Sequence, residues 1–139
     1  MRAMYDADID LLEVMDGTYK TVGMHVSDTL TVFYRKKDRK LIGFALEAAS
    51  RHMRELENMP QHMLLAGLVR LVRGVLNDTQ KQFADRVGTT ERTIQRLETG
   101  DGANPTLETL NSLVGVTPAT IDWSILLSRK HAAASNHSL

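Results

Sequence analysis

The chain has no cysteine among its 139 residues, which excludes disulfide bonds and cysteine-ligated zinc. It has no apolar run near the ~18 residues that a membrane-spanning helix needs. Its N-terminus lacks the basic-then-apolar order of a secretion signal, because Asp6, Asp8 and Asp10 come early. Net charge is missing too, since 17 basic and 17 acidic side chains cancel, so a strongly basic nucleic-acid-binding domain is not indicated. We expect a cytoplasmic protein with no membrane association.

Residues 1–47 have the pattern of β-strands. Four short apolar runs, DIDLLEV, TVGMHV, TLTVFY and KLIGFAL, are separated by turn-forming residues. Alternation within the third run places Leu30, Val32 and Tyr34 on one face of a strand. We expect an antiparallel meander of three or four strands whose apolar face needs a covering layer. The aspartates at 6, 8 and 10 alternate along the first run, as solvated edge charges or as a cation site.

The apolar period changes from that of a strand to that of a helix after residue 47. Residues 47–59 predict a helix ended by Pro60, which either packs on the sheet or links two domains. The next helix carries one apolar stripe, formed by Leu64, Leu65, Leu68, Val72, Val75 and Leu76. The predicted organisation is a sheet domain (1–47), a helix or linker (48–61), a helical domain (62–131) and a flexible tail (132–139).

Residues 78–100 predict two short helices joined by a tight turn. Asp78 or Thr79 can cap the first helix, and Gly88 can take the left-handed conformation that ends it. Thr89 or Thr90 can cap the second helix. Such a pair is either a DNA-reading helix-turn-helix or an ordinary helical hairpin. The inward-facing residues fit both interpretations: Phe83, Ala84, Val87, Ile94 and Leu97.

Residues 64–116 resemble the helix-turn-helix of the Cro/phage-repressor (XRE-type) family. The match is contiguous and rests on Thr79-Gln80, Phe83-Ala84, Gly88, Thr93-Ile94, Glu98-Thr99-Gly100 and Pro105. The resemblance implies a C-terminal five-helix DNA-binding domain of phage-repressor type. Together with the small N-terminal antiparallel β-sheet domain predicted for residues 1–47, this gives an α+β protein. Residues 106–116 and 117–130 would form its last two helices, with Trp123 in the core or at a dimer contact.

The resemblance also implies which residues contact DNA. Arg92 and Arg96 are the leading base readers, because an arginine can bond bidentately to guanine O6 and N7 in the major groove. Glu91 either accepts from cytosine N4 or interacts with the helix dipole, and Gln95 shares the outward face. Gln80 is the first candidate for a phosphate contact. Secondary candidates are Thr79, Lys81, Thr89, Thr90, Thr93 and Asn104; Thr90 is equally a structural cap.

A structural ion pair is implied by the same resemblance. Several phage repressors join an arginine late in their first helix to the glutamate that ends the recognition helix. Arg73 and Glu98 occupy the corresponding positions here. The alternative for Arg73 is an ordinary solvated charge.

The first half of the chain resembles, loosely, a small uncharacterised bacterial sheet family. The likeness involves Tyr5-Asp6, Asp10-Leu11 and the run from Gly43 to Leu46, and it implies no chemistry. Dimerisation, partner binding and small-molecule sensing are the three roles open to it. Because a near-neutral domain binds DNA weakly alone, we expect a homodimer on an inverted-repeat operator in double-stranded DNA.

Three functional classes follow from this organisation. The first is a repressor that is also the antitoxin of a toxin-antitoxin pair, with a toxin bound through residues 1–60. The second is a phage or mobile-element repressor without a toxin, and the third is an interaction module that no longer reads DNA. No catalytic, metal or cofactor site is predicted, because His25, His52 and His62 lack metal-ligand spacing and no phosphate-binding Gly-rich loop occurs. The basic run at 35–40 is expected to be a solvated hairpin turn, and the alternative is a DNA contact.

Overall fold

The computed structural model describes residues 1–101, 105–122 and 124, and its α+β architecture is the predicted one. Five strands come first and helices follow. The predicted tail and most of the predicted last helix, including Trp123, lie outside the described residues. The elements are β1 (Arg2–Asp6), β2 (Leu11–Met15), β3 (Thr21–His25), β4 (Leu30–Arg35), β5 (Leu41–Leu46), α1 (Ala49–His52), a 3-10 turn (Met53–Leu56), α2 (Gln61–Val75), α3 (Gln80–Val87), α4 (Glu91–Thr99) and α5 (Leu107–Val116).

The sheet has five antiparallel strands in the order β1-β2-β5-β4-β3, so the predicted three- or four-stranded meander is wrong. The additional strand is β1, whose short sequence RAMYD alternates polar and apolar residues at the sheet edge. The aspartates do not share a strand either. Asp6 ends β1, Asp8 lies in the hairpin turn, and Asp10 has a left-handed φ of 51°, which aspartate tolerates better than most residues.

One face of the sheet is buried beneath the helices. Leu30 and Val32 lie on this face as predicted, and Tyr34, further along β4, is partly buried. Leu12 and Val14 of β2 pair with Leu46 and Phe44 of β5, and all four side chains are fully buried. The register of strand pairing therefore places the apolar residues, which alternate with polar ones along each strand, on one face of the sheet.

The segment between the sheet and α2 is not the predicted helix over 47–59. Ala48 has a left-handed φ of 49°, so α1 begins only after it and contains four residues before a 3-10 turn follows. Burial explains this compact path, because Ala49, Met53 and Leu56 all face the core while His52 stays exposed. The segment therefore packs on the core through tight turns, with these three buried side chains in place of the continuous apolar stripe of a longer helix.

Helix α2 is the centre of the protein. It contacts β1 and β2 on one side and α4 on the other. Nine of the ten residues from Met63 to Val72 are buried. The predicted stripe is therefore too narrow, and Val75, placed on it, is instead 40% exposed at the end of the helix. Gly67 permits the close approach, because a Cβ there would lie 3.2 Å from Leu12 Cδ2 and Phe44 Cζ.

A half-buried carboxylate, that of Asp10, fixes the β1–β2 turn to α1. Tyr5 Oη donates to Asp10 Oδ1 at 2.5 Å, and Ser50 Oγ donates to Asp10 Oδ2 at 2.7 Å. Burial raises the pKa of Asp10, but the hydrogen bonds from Tyr5 and Ser50 outweigh it and hold that pKa below its ordinary value. The unusual backbone of Asp10 is thus supported by hydrogen bonds to its own side chain.

Replacement of Gly43 by alanine is expected to destabilise the sheet by about 1–3 kcal/mol. The new Cβ would lie 2.3 Å from the carbonyl oxygen of Val14, on the strand that pairs with β5. Because that oxygen belongs to the backbone, relief requires the strands to separate. Gly115→Ala is the matched control, since a Cβ there meets nothing within 4 Å and alanine favours a helix by up to about 1 kcal/mol. Urea unfolding measures both, and equal stabilities would contradict the packing.

In the part of the chain that the structure describes, no helix has the length and apolar character needed to cross a membrane.

Candidate nucleic-acid interface

Helix α3 begins with a capping box and ends at a glycine. Gln82 N–H donates to Thr79 Oγ1 at 3.1 Å, and Thr79 N–H donates to Gln82 Oε1 at 2.9 Å. Thr79, not Asp78, is therefore the N-cap. Gly88 has φ 86°, and its N–H donates to the Ala84 carbonyl at 2.9 Å, so the turn into the next helix starts in the left-handed region.

Helix α4 follows after a short turn and has equally clear ends. Thr93 N–H donates to Thr90 Oγ1 at 3.2 Å, so Thr90 and not Thr89 is the N-cap. Gly100 closes the helix with φ 69°. Ile94 and Leu97 are buried against the core, and this orients the opposite side of α4 to solvent.

The exposed side of α4 carries the predicted base-reading residues. Glu91, Arg92, Gln95 and Arg96 are all exposed. Among the described residues, neither guanidinium has a hydrogen-bond or salt-bridge partner, so both extend from a rigid helix with their donors available. Glu91 lies in the first turn, where the helix dipole favours a carboxylate. The surface can therefore present two guanidinium groups and one amide to a groove.

The predicted phosphate contacts lie mostly at the two helix starts. Gln80 is the first residue of α3 and is partly exposed, while Lys81 beside it is exposed. Thr89 and Thr93 are partly exposed near the start of α4, where the Thr90 and Thr93 hydroxyls are 2.9 Å apart. The capping role of Thr79 leaves its hydroxyl proton free to donate outward, whereas the Thr90 and Thr93 hydroxyls share a hydrogen bond in which either can donate. Asn104 lies outside the described residues.

An ion pair between Arg73 and Glu98 joins α2 to α4. Arg73 Nε and Nη2 each donate to one Glu98 carboxylate oxygen at 2.9 Å, in a bidentate arrangement. The exposed fractions of the two side chains are 16% and 6%. Arg73 Nη1 also donates to the Asp78 carbonyl at 3.1 Å, so one guanidinium connects both helices and the loop between α2 and α3.

A second arginine pair was not predicted. Arg86 of α3 donates from Nε and Nη2 to the two carboxylate oxygens of Asp78, at 2.8 and 3.1 Å. The sequence indicates Asp78 only as an alternative N-cap of α3. No local signal links residues eight apart in this way, because the contact depends on the loop geometry that places Asp78 beside the last turn of α3.

The histidines among the described residues do not assemble a metal site. His25 Nδ1 lies 3.0 Å from Thr31 Oγ1 across a strand pair, and His52 is exposed. Across residues 1–101, 105–122 and 124, no group of three or more metal-ligating side chains comes together.

Comparison with known families gives one result. Residues 69–124 match the family model described as Helix-turn-helix, and this range contains α3, α4 and α5. No curated protein and no solved structure matches the chain. The matched range coincides with the capped helix pair, the Arg73–Glu98 ion pair and the exposed arginines of α4. The C-terminal part of the chain is therefore a helix-turn-helix domain of the Cro/phage-repressor type, the domain of a DNA-binding transcription regulator.

Proposed function

We propose that the chain is a sequence-specific transcriptional repressor that binds an inverted-repeat operator as a homodimer and regulates its own gene. The observation that carries this proposal is the outward face of α4, where Arg92 and Arg96 are exposed and unpaired among the described residues. Two arginines one helical turn apart reach neighbouring base edges when such a helix enters the major groove.

The balance of charge supports the proposed homodimer. With 17 basic and 17 acidic side chains, one copy has little electrostatic affinity for a phosphate backbone. Two copies double both the cationic contacts and the number of base pairs read. An inverted repeat with half-sites about one helical turn apart, roughly 34 Å, suits a two-fold-related pair of recognition helices.

Mobility shift with the DNA upstream of the chain's own gene tests this function. We expect one retarded species, competed by that DNA and not by an unrelated duplex, with affinity that falls steeply as salt increases. A reporter under the same upstream region should lose expression when the chain is supplied. Equal affinity for both duplexes, or affinity unaffected by salt, would refute sequence-specific repression.

Gln80→Ala is expected to weaken binding to the operator and to unrelated DNA by the same factor, about 10-fold, because it removes a backbone contact from each copy. Gln95→Ala is the matched control on α4. It removes the same amide from the proposed base-reading face, so it should reduce the preference for the operator instead. Competition titrations with both duplexes measure the two effects, and a changed site preference in Gln80→Ala would contradict its assignment.

An antitoxin function would add a toxin bound through residues 1–60. The feature in its favour is the second face of the sheet, where Leu11, Glu13 and Met15 remain partly exposed opposite the buried Leu12 and Val14. Co-expression with the product of the neighbouring gene tests it directly. A toxic product neutralised by the chain, and retained by it through purification, would support the antitoxin; growth unaffected by that product would exclude it.

A further inference from the structure

Strand β3 is an unprotected sheet edge. All five of its residues are exposed, and among the described residues it has a strand neighbour, β4, on one side only. The strand contains no proline and no charged residue, and it has Gly23 at its centre. Natural edge strands usually carry lysine, proline or a bulge that prevents pairing with another strand. The absence of all three from β3 indicates an edge kept open for pairing.

The backbone of β3 defines which groups are available. Lys36 N–H donates to the Lys20 carbonyl at 2.9 Å, and Val26 N–H donates to the Leu30 carbonyl at 2.8 Å, so even-numbered residues bond toward β4. Successive residues of a strand direct their main-chain groups to opposite edges. The N–H and carbonyl groups of Thr21, Gly23 and His25 therefore point outward from the sheet.

Apolar side chains mark the same strand. Val22 and Met24 lie on the helix-covered face, because they pair with Tyr34 and Val32, yet they are 37% and 53% exposed. Val26, directly after the strand, is 59% exposed. Helix α2 covers β1 and β2 but does not extend to this edge. The result is an apolar strip beside exposed backbone groups that pair with no other strand among the described residues.

We infer that β3 pairs antiparallel with β3 of a second copy across a two-fold axis at Gly23, which deepens the proposed homodimer and rests on it. In this register Thr21 lies opposite the partner's His25, and Gly23 lies opposite the partner's Gly23. Every outward N–H and carbonyl of these residues is then bonded. Val22 lies opposite the partner's Met24 on the same face, so the two apolar strips form one surface.

Charge favours the antiparallel direction. The end of the sheet where β3 begins is basic, with exposed Lys20, Lys36 and Lys37. The end where β3 finishes is acidic, with exposed Asp28 and Glu47. Antiparallel pairing sets the basic end of each copy beside the acidic end of the other, whereas parallel pairing sets like charges together. A second copy therefore complements this edge electrostatically.

The resulting dimer also suits a DNA reader. A two-fold axis perpendicular to the sheet keeps the helix-covered faces of both copies on the same side. Helix α4 contacts β1, the strand furthest from β3. Nine strand spacings along a flat ten-stranded sheet separate the two β1 strands by about 43 Å, and sheet twist shortens this. That distance is comparable with the roughly 34–36 Å between half-sites one turn apart.

Sedimentation equilibrium of the full chain without DNA tests the inference. We expect a dimer whose dissociation constant rises about 10-fold or more in Gly23→Pro, because proline removes an outward N–H that an edge strand does not need for its own fold. Met24→Lys should weaken it similarly by placing a charge in the paired edge. Met4→Lys is the matched control, since Met4 is 39% exposed on β1, the other edge of the sheet.

A charge exchange tests the direction of pairing. Lys20→Glu should weaken the dimer by setting acidic groups together, and adding Asp28→Lys to the same chain should restore it. A monomeric wild type, or a dimer unchanged by Gly23→Pro and Met24→Lys, would overturn the inference. Loss of the dimer in Met4→Lys alone would also overturn it. If the dimer behaves as expected but binds no specific DNA, the proposed function fails while this inference stands.

Discussion

Replacing both Arg92 and Arg96 by alanine is expected to lower operator affinity by at least about 1,000-fold, which corresponds to ~4 kcal/mol lost over the arginines of two half-sites. Each bidentate contact to guanine contributes about 1–3 kcal/mol of discrimination. Both side chains are exposed, so their removal should leave the fold unchanged. Mobility shift with operator and unrelated duplexes measures the loss, and affinity for unrelated DNA should fall far less.

The control for this experiment removes the same charge elsewhere. Arg51 and Arg54 are exposed on the segment between the sheet and α2, and the Arg54 pair with Asp122 is solvent-accessible. The variant Arg51→Ala with Arg54→Ala should bind the operator with an affinity within a few-fold of the wild type. Neither arginine lies on α4, and an exposed ion pair contributes little to the stability of the fold. If Arg92→Ala with Arg96→Ala behaves like this control, α4 does not read bases.

Glu98→Gln is expected to destabilise the chain by about 3–5 kcal/mol, because it strands a charged arginine in a largely buried site. The Arg73 side chain is only 16% exposed, and two of its donors bond to the Glu98 carboxylate. The loss should appear as a lower urea midpoint with an unchanged slope. A double variant, Arg73→Met with Glu98→Leu, should recover much of the stability, since no isolated charge remains.

Arg54→Ala is the control for the ion pair. Arg54 Nε donates to Asp122 Oδ2 at 3.2 Å, and the two side chains are 79% and 40% exposed. Its removal should cost at most about 1 kcal/mol, because neither charge is buried. If Glu98→Gln and Arg54→Ala had equal effects, burial would not be the reason for the importance of the α2–α4 pair.

The helix-turn-helix could be predicted closely because its signals are local. The caps at Thr79 and Thr90 and the left-handed Gly88 and Gly100 depend on chemistry within four residues. The pairing of Arg73 with Glu98 is different, because 25 residues separate them and only the family resemblance pointed to it. The exposure of Arg92 and Arg96 is predictable from helical spacing, because Ile94 and Leu97 face inward on the same helix.

The sheet and its junction with the helices were predicted less well because their determinants are tertiary. The burial of α2 on two sides cannot be predicted from one apolar stripe. The close approach of α2 to the sheet at Gly67 depends on Leu12 and Phe44, which are distant in sequence. The left-handed conformations of Asp10 and Ala48 change the direction of the chain. The apolar pattern of the sequence runs through both positions without a break, so it does not indicate either change. Asp10 is held by Tyr5 and Ser50, contacts that no local pattern indicates.

Selection from a pool of random DNA duplexes by the purified full chain tests the central claim most directly. The account predicts enrichment of an inverted repeat, with two half-sites about one helical turn apart and guanines at the positions facing Arg92 and Arg96. The same selection with the Arg92→Ala, Arg96→Ala variant should enrich nothing. A wild-type chain that enriches no sequence, or a single unrepeated site, would contradict a dimeric, base-reading repressor.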